Sequence, residues 1–164
     1  MYTMLVLCGH GAKRCPMLTI MVRALVVLGI VILGLMAYVR LAPTDAARWH
    51  QIAAVASAGD VMATGGFMAV RQITADPAQV LAAIDTIARA TPRTRAIAGS
   101  VDAGMMTYQT RSLIWGFPDH TTVAVQGDLL VIHGRLTFGQ ADMGVNRARV
   151  LDWLDQLGPL TTAP

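Results

Sequence analysis

His120, His133 and Arg135 lie on either side of Gly127-Asp128, a dipeptide that joins two strands as a tight hairpin. A two-residue turn there sets His120 opposite Arg135, Thr122 opposite His133 and Gln126 opposite Leu129. The two imidazoles are then diagonal neighbours on one sheet face, with a guanidinium beside one of them. Such a set can hold an anion or a metal, or move a proton near neutral pH. With Asp119 adjacent in sequence, it permits an acid–base enzyme in which His120 carries the proton and Arg135 steadies an anion. The same residues also suit an ordinary solvated sheet face, which needs no chemistry at all.

Two further arrangements concern anions. A three-residue turn at Asp102-Ala103-Gly104 places Arg95 opposite Arg111, with Arg93 close by. Like charges directly opposed destabilise a strand pair, so either interleaved Asp residues or a bound anion must compensate them. In FGQADMGVNRARV (Phe138 to Val150), Asn146-Arg147 opens a helix, and a helix N-terminus can hold an anion. The structural alternative is that Asp142 and Asn146 tie down backbone amides of the loop and the cap. Arg111, Asp119, His120, His133, Arg135, Asp142, Asn146 and Arg147 are therefore the candidate surface for a ligand or partner. The loop LIWGFPD (Leu113 to Asp119) offers Trp115 and Phe117 to a partner or to the core.

Other chemistries lack their residues. The chain has no G-x-S-x-G, H-E-x-x-H, C-x-x-C or Walker loop, and no Glu. Neither a covalent nor a metal-dependent enzyme is supported, no catalytic residue is assigned, and no cofactor is expected. Cys8, His10 and Cys15 supply three potential metal ligands, whereas a structural zinc site wants four. The net charge of +3 does not imply a nucleic-acid partner, because from Arg40 onward ten Arg are balanced by ten Asp.

The elements that must position these residues follow from patterning. Ala24 to Val39 is a run of sixteen uncharged residues, about 24 Å of helix, lengthened to a membrane span if Arg23 snorkels. Met17 or Met21 would start an ordinary signal anchor, which leaves 1–16 as a doubtful N-terminal extension, 17–39 as the anchor and 40–66 as a juxtamembrane linker. Trp49 in that linker suits the headgroup level. Lys13, Arg14 and Arg23 before the span, against Arg40 and Arg48 after it, favour an inner-membrane protein with its C-terminal domain in the periplasm. Its partners would then be the membrane itself and either an envelope protein or a small anionic ligand.

Residues 67–164 read as a small α+β domain. Phe67 to Thr74 is a strand. Asp76-Pro77 caps a helix with Val80, Leu81, Ile84, Ile87 and Ala88 on one face. Two hairpins follow, and then a helix capped by Asn146, with Val150, Leu151, Leu154 and Leu157 on one face, ended by Gly158-Pro159. The order β-α-β-β-β-β-α predicts a two-layer domain, an antiparallel sheet of about five strands covered by two helices. Val123, Val125, Leu130, Ile132, Leu136 and Phe138 form the face toward the helices.

Four blocks carry a family resemblance: RLAP-x-D-x-x-RW (Arg40 to Trp49), TRAIAG (Thr94 to Gly99), RSLIWGFPDHTTV (Arg111 to Val123) and FGQADMGVNRARV. Together they resemble the domain of unknown function 1499 family, over roughly Arg40 to Leu157. That resemblance implies a small protein with an N-terminal anchor and implies no particular activity. On this reading the protein is a membrane-anchored binding or envelope-structural module rather than an enzyme.

Overall fold

The computed structural model describes residues 16–140 and 143–162. The chain divides into two units, one ending at Tyr38 and one beginning at Val39. The first consists of most of helix α1 (Pro16–Leu41). At 1.5 Å per residue its 26 residues extend about 39 Å, and it is long and apolar enough to cross a membrane.

In the second unit a short helix α2 (Ala46–Trp49) precedes β1 (Gly59–Ala63), β2 (Gly66–Gln72), α3 (Pro77–Ala90), β3 (Thr94–Ser100), β4 (Met105–Arg111), β5 (Pro118–Gln126), β6 (Leu129–Leu136) and α4 (Val145–Leu157). The six strands form one antiparallel sheet in the order β1-β2-β6-β5-β4-β3. The α+β class and both helices are as expected. The sheet has one strand more than expected, because GDVMA, within the stretch read as linker, pairs with β2 as an edge strand. Five residues bounded by glycines show too little alternation to announce a strand.

α3 and α4 pack on one sheet face, and the apolar core lies between them and the sheet. Asp76 caps α3 as its sequence predicts, its carboxylate accepting from the amides of Ala78 at 2.9 Å and Gln79 at 3.3 Å. Trp153 on α4 is fully buried, edge-on to Tyr108 with ring centroids 5.7 Å apart, and its indole N–H donates to Thr91 Oγ1 at 2.8 Å. Tyr108 donates to Asp85 at 2.7 Å, and burial pushes its hydroxyl well above the usual tyrosine range.

The β5–β6 register is the one the Gly127-Asp128 turn dictates, with His120 opposite Arg135 and Thr122 opposite His133. The β3–β4 register differs from expectation. Ser100, not Val101, opposes Met105, and a bulge between Ala96 and Ala98 shifts the pairing again, so Arg95 faces Gln109. Its Nε donates to Gln109 Oε1 at 3.2 Å, and the proposed opposition of Arg95 and Arg111 does not occur.

The other sheet face is not solvated. Residues 39–58 run across it as a strap, and the strands meet that strap with polar side chains. Thr107, Gln109, His120 and Thr122 are all fully buried there, beside Val70, Ala124 and Val131.

Candidate functional site

Alternation along β5 sends Asp119 and His120 to opposite faces. Each face gathers its own set of candidate residues.

On the strap side, the His120 imidazole stacks on Trp49 with ring centroids 4.2 Å apart and planes 13° from parallel. Its tautomer follows from its neighbours. Arg95, which can only donate, meets Gln109 Oε1 and so fixes that oxygen as an acceptor and the Gln109 nitrogen as an NH2. That nitrogen donates to Thr44 Oγ1 at 2.6 Å and lies 3.2 Å from His120 Nε2, which therefore accepts. His120 Nδ1 then carries the proton and donates to Thr137 Oγ1 at 2.9 Å. Burial, and next the positive charge of Arg135, lower the His120 pKa to about 4. His133 is lowered to about 4 for the same two reasons, in the same order.

Arg135 donates to the Trp49 carbonyl oxygen and, at 2.6 Å, to Thr122 Oγ1. Its guanidinium carbon lies 5.4 Å from the centroid of the Trp49 ring. Arg111 donates to the carbonyls of Val39 at 3.1 Å and Gly116 at 2.8 Å. Burial is the main cause that lowers its pKa, followed by the charges of Arg95 and Arg40. His50 Nδ1 meets Thr107 Oγ1 at 2.9 Å, and Gln126 holds Ala53 and Val55 through one hydrogen bond to each backbone, both 3.0 Å. A cavity of about 160 Å³ remains beside His120, bounded by Pro43, Asp45, Arg48, Trp49 and Thr137. His120, His133 and Arg135 thus share this face as expected from the register, Arg111 joins them there, and the strap supplies the Trp49 ring to His120, the Trp49 carbonyl to Arg135 and the Val39 carbonyl to Arg111. Trp49, expected at the headgroup level, is the centre of this contact.

On the helix side, Asp119 pairs with Arg149 at 3.5 Å, and Arg149 donates to Asn146 Oδ1 at 2.8 Å. The expected cap is corrected by this geometry. Gly144, with φ +82°, is the N-cap of α4, and Asn146 is its second residue, fully buried. α4 comes close enough for this because β6 carries Gly134: a Cβ there would lie 3.1 Å from Asn146 Cβ. Asp142 lies outside the described residues, as do Cys8, His10 and Cys15. Arg147 belongs to neither set. It is exposed, with its guanidinium carbon 5.6 Å from the centroid of the Phe67 ring.

A cleft of about 360 Å³ opens where the ends of β4 and β5 meet α3 and α4, lined by Arg93, Arg111, Asp119, Val145 and Arg149 among others. Arg93 is the exposed cation of this cleft. Its φ of +60° is rare for a residue with a side chain, and its Nε donates to the Arg111 carbonyl at 3.0 Å. Sequence reasoning assigned it only to an opposed-arginine site. Arg149 was missed, although its i, i+3 spacing from Asn146 places both on one helix face.

The acid–base arrangement of His120, Asp119 and Arg135 is not assembled. The carboxylate is on the far side of the sheet from the imidazole, and both imidazole nitrogens are held by neighbours. Trp115 and Phe117, which the sequence offers either to a partner or to the core, are 42% and 37% exposed.

A comparison with curated proteins finds no match to this chain. A family model described as Protein of unknown function (DUF1499) matches residues 44–157, a range that takes in the strap from Thr44, every strand of the sheet, α3 and all of α4. The chain belongs to this family.

Proposed function

We propose that the protein is a single-span, membrane-anchored binding module that faces the periplasm and takes a small anionic ligand in the Arg93 cleft. The observation that carries the reading is the cleft itself. Two of the sequence blocks, RSLIWGFPDHTTV and FGQADMGVNRARV, both line a cleft of about 360 Å³, enough for a small molecule. Arg149 is engaged by Asp119 and Asn146 and forms a fixed wall, whereas Arg93 presents its remaining N–H groups outward. The Asp119 carboxylate repels a second negative charge. The fitting ligand therefore brings one phosphate or carboxylate to Arg93 and a hydroxyl or amine toward Asp119. The excess of Lys and Arg before the span supports the periplasmic side.

Two measurements test this. A reporter enzyme active only in the oxidising outer compartment, fused after Pro164, is expected to be active, and an expressed but inactive fusion overturns the orientation. Inorganic phosphate or glycolate at constant ionic strength is expected to raise the melting temperature of the full-length protein in detergent. Arg93→Gly removes the guanidinium at a backbone position that glycine accepts, and is expected to abolish the rise. An equal rise in wild type and variant excludes this cleft as the anion site.

A further inference from the structure

The domain leaves a patch of large apolar side chains uncovered at one end. Leu113, Ile114, Trp115 and Phe117 belong to the loop between β4 and β5, Phe138 follows β6, and Val145 begins α4. Leu113 to Phe117 are close in the chain, ring contacts join the loop to Phe138, and the cleft joins it to Val145. The rings of Trp115 and Phe117 are 6.3 Å apart, those of Phe117 and Phe138 are 5.6 Å apart, and Leu113 and Val145 line the same cleft. Leu113 and Ile114 are 70% and 66% exposed, so the loop does not turn back onto the core. A contiguous apolar patch in a small domain marks an interaction surface.

Arg40 identifies what covers it. This residue lies in the last turn of α1, immediately after the apolar run that ends at Val39. Its Nη2 donates to the Ile114 carbonyl at 2.7 Å and reaches the Leu113 carbonyl at 3.5 Å. Gly116, with φ +76°, completes the contact: a Cβ there would lie 2.7 Å from Arg40 Cγ. The apolar loop is thereby fastened to the point where the chain leaves its apolar helix. A bilayer crossed by that helix begins at that point. The composition matches such a boundary, with Trp and Phe rings flanked by the exposed arginines Arg40, Arg48 and Arg93 and by the exposed carboxylate of Asp45.

We infer that the Leu113–Phe117 loop and Phe138 dock in the headgroup boundary of the membrane that α1 crosses, so that the bilayer holds this end of the domain. The inference rests on α1 spanning the membrane, and the experiment reads the two separately. Full-length protein is reconstituted into vesicles of phosphatidylethanolamine and phosphatidylglycerol, with and without phosphatidylcholine brominated near the glycerol end of its acyl chains. Flotation with the vesicles reports the anchor. The difference in tryptophan emission between wild type and Trp115→Phe reports Trp115 alone, against the background of Trp49 and Trp153. The substitution keeps a ring against Phe117 and touches nothing in the core.

Brominated lipid is expected to quench the Trp115 contribution at least twofold, while iodide in the aqueous phase quenches it weakly. Failure to float overturns both the anchor and the docking. Flotation with a Trp115 contribution open to iodide and indifferent to bromine overturns the docking alone. A Trp115 contribution shielded from both quenchers, and sensitive to the protein-to-lipid ratio, assigns the patch to a second copy of the chain and likewise overturns it.

Discussion

His120 is neutral in the native state because charging it forces a proton onto Nε2, which already accepts from the Gln109 amide, in a site where Arg135 adds repulsion. The sign of its effect on stability follows. Its folded pKa, about 4, lies below the unfolded value of 6.5, so the unfolded chain takes up the proton first as pH falls. The stability it contributes is present in full above pH 6.5 and drains away toward pH 4, by up to about 3 kcal/mol at 1.36 kcal/mol per unit. His133 adds a fall in the same window. Denaturant titrations across this range should show wild type losing stability on acidification, and His120→Gln losing about half as much. Equal slopes would remove His120 from this account. Asn146 carries a second prediction at this scale. As a cap it would be worth about 1 kcal/mol. As a buried acceptor for Arg149 it should cost about 1.5–3 kcal/mol on Asn146→Ala, because the guanidinium loses a charge-assisted bond. Gly134→Ala should cost about 1–3 kcal/mol by forcing α4 away from the sheet. The pairing of His120 with Arg135 was legible from one turn dipeptide. Asn146 was legible only as a polar residue at a helix start, since nothing local reveals that Gly144 takes the capping position.

At the scale of elements, the strap is where sequence reasoning and structure part most clearly. Residues 40–66 are rich in alanine and glycine, and no apolar periodicity marks them as packed. Their contacts are instead polar and long-range: Thr44 to Gln109, His50 to Thr107, the Trp49 carbonyl to Thr122 and Arg135, Ala53 and Val55 to Gln126. Hydrogen bonds of this kind leave no period in the sequence. The alternation of β5 was legible, but it could not distinguish a face wet by solvent from one covered by another part of the chain. α3, by contrast, was legible almost residue by residue, because Asp76-Pro77 and a 3.6-residue apolar stripe are local signals. Trp49→Ala separates strap from tether. It removes the ring stacked on His120 and is expected to cost about 2–3 kcal/mol, below the 3–5 of a fully buried Trp because this ring is only partly covered. It should also flatten the acid limb of the stability profile, since water reaching His120 returns its pKa toward 6.5. A Trp49→Ala protein as stable as wild type, with an unchanged acid limb, would show that the stack contributes nothing.

At the scale of the whole molecule, these contacts decide where the independently folding unit starts. A domain beginning at Phe67 lacks both strap and β1. Arg71, 3% exposed in the intact sheet, loses with β1 its partner Asp60, whose carboxylate it meets at 2.6 Å. Breaking a buried pair from one side costs about 3–5 kcal/mol, somewhat less here because Asp60 is partly wet. Without the strap, the buried polar groups of Thr107, Gln109 and Thr122 lose protein partners, and Val70, Ala124 and Val131 lose cover. The total is comparable to the whole stability of a domain of about a hundred residues, about 5–15 kcal/mol. Two fragments therefore should behave differently. Residues 39–164 are expected to unfold in one cooperative transition, and residues 67–164 to show none and to aggregate through the bared sheet face and the open edge of β2. Circular dichroism melts and size-exclusion profiles of the two decide the matter. If the shorter fragment melts cooperatively within about 1 kcal/mol of the longer one, the juxtamembrane stretch is only a tether, and the burial of His120 beneath it has no bearing on the fold.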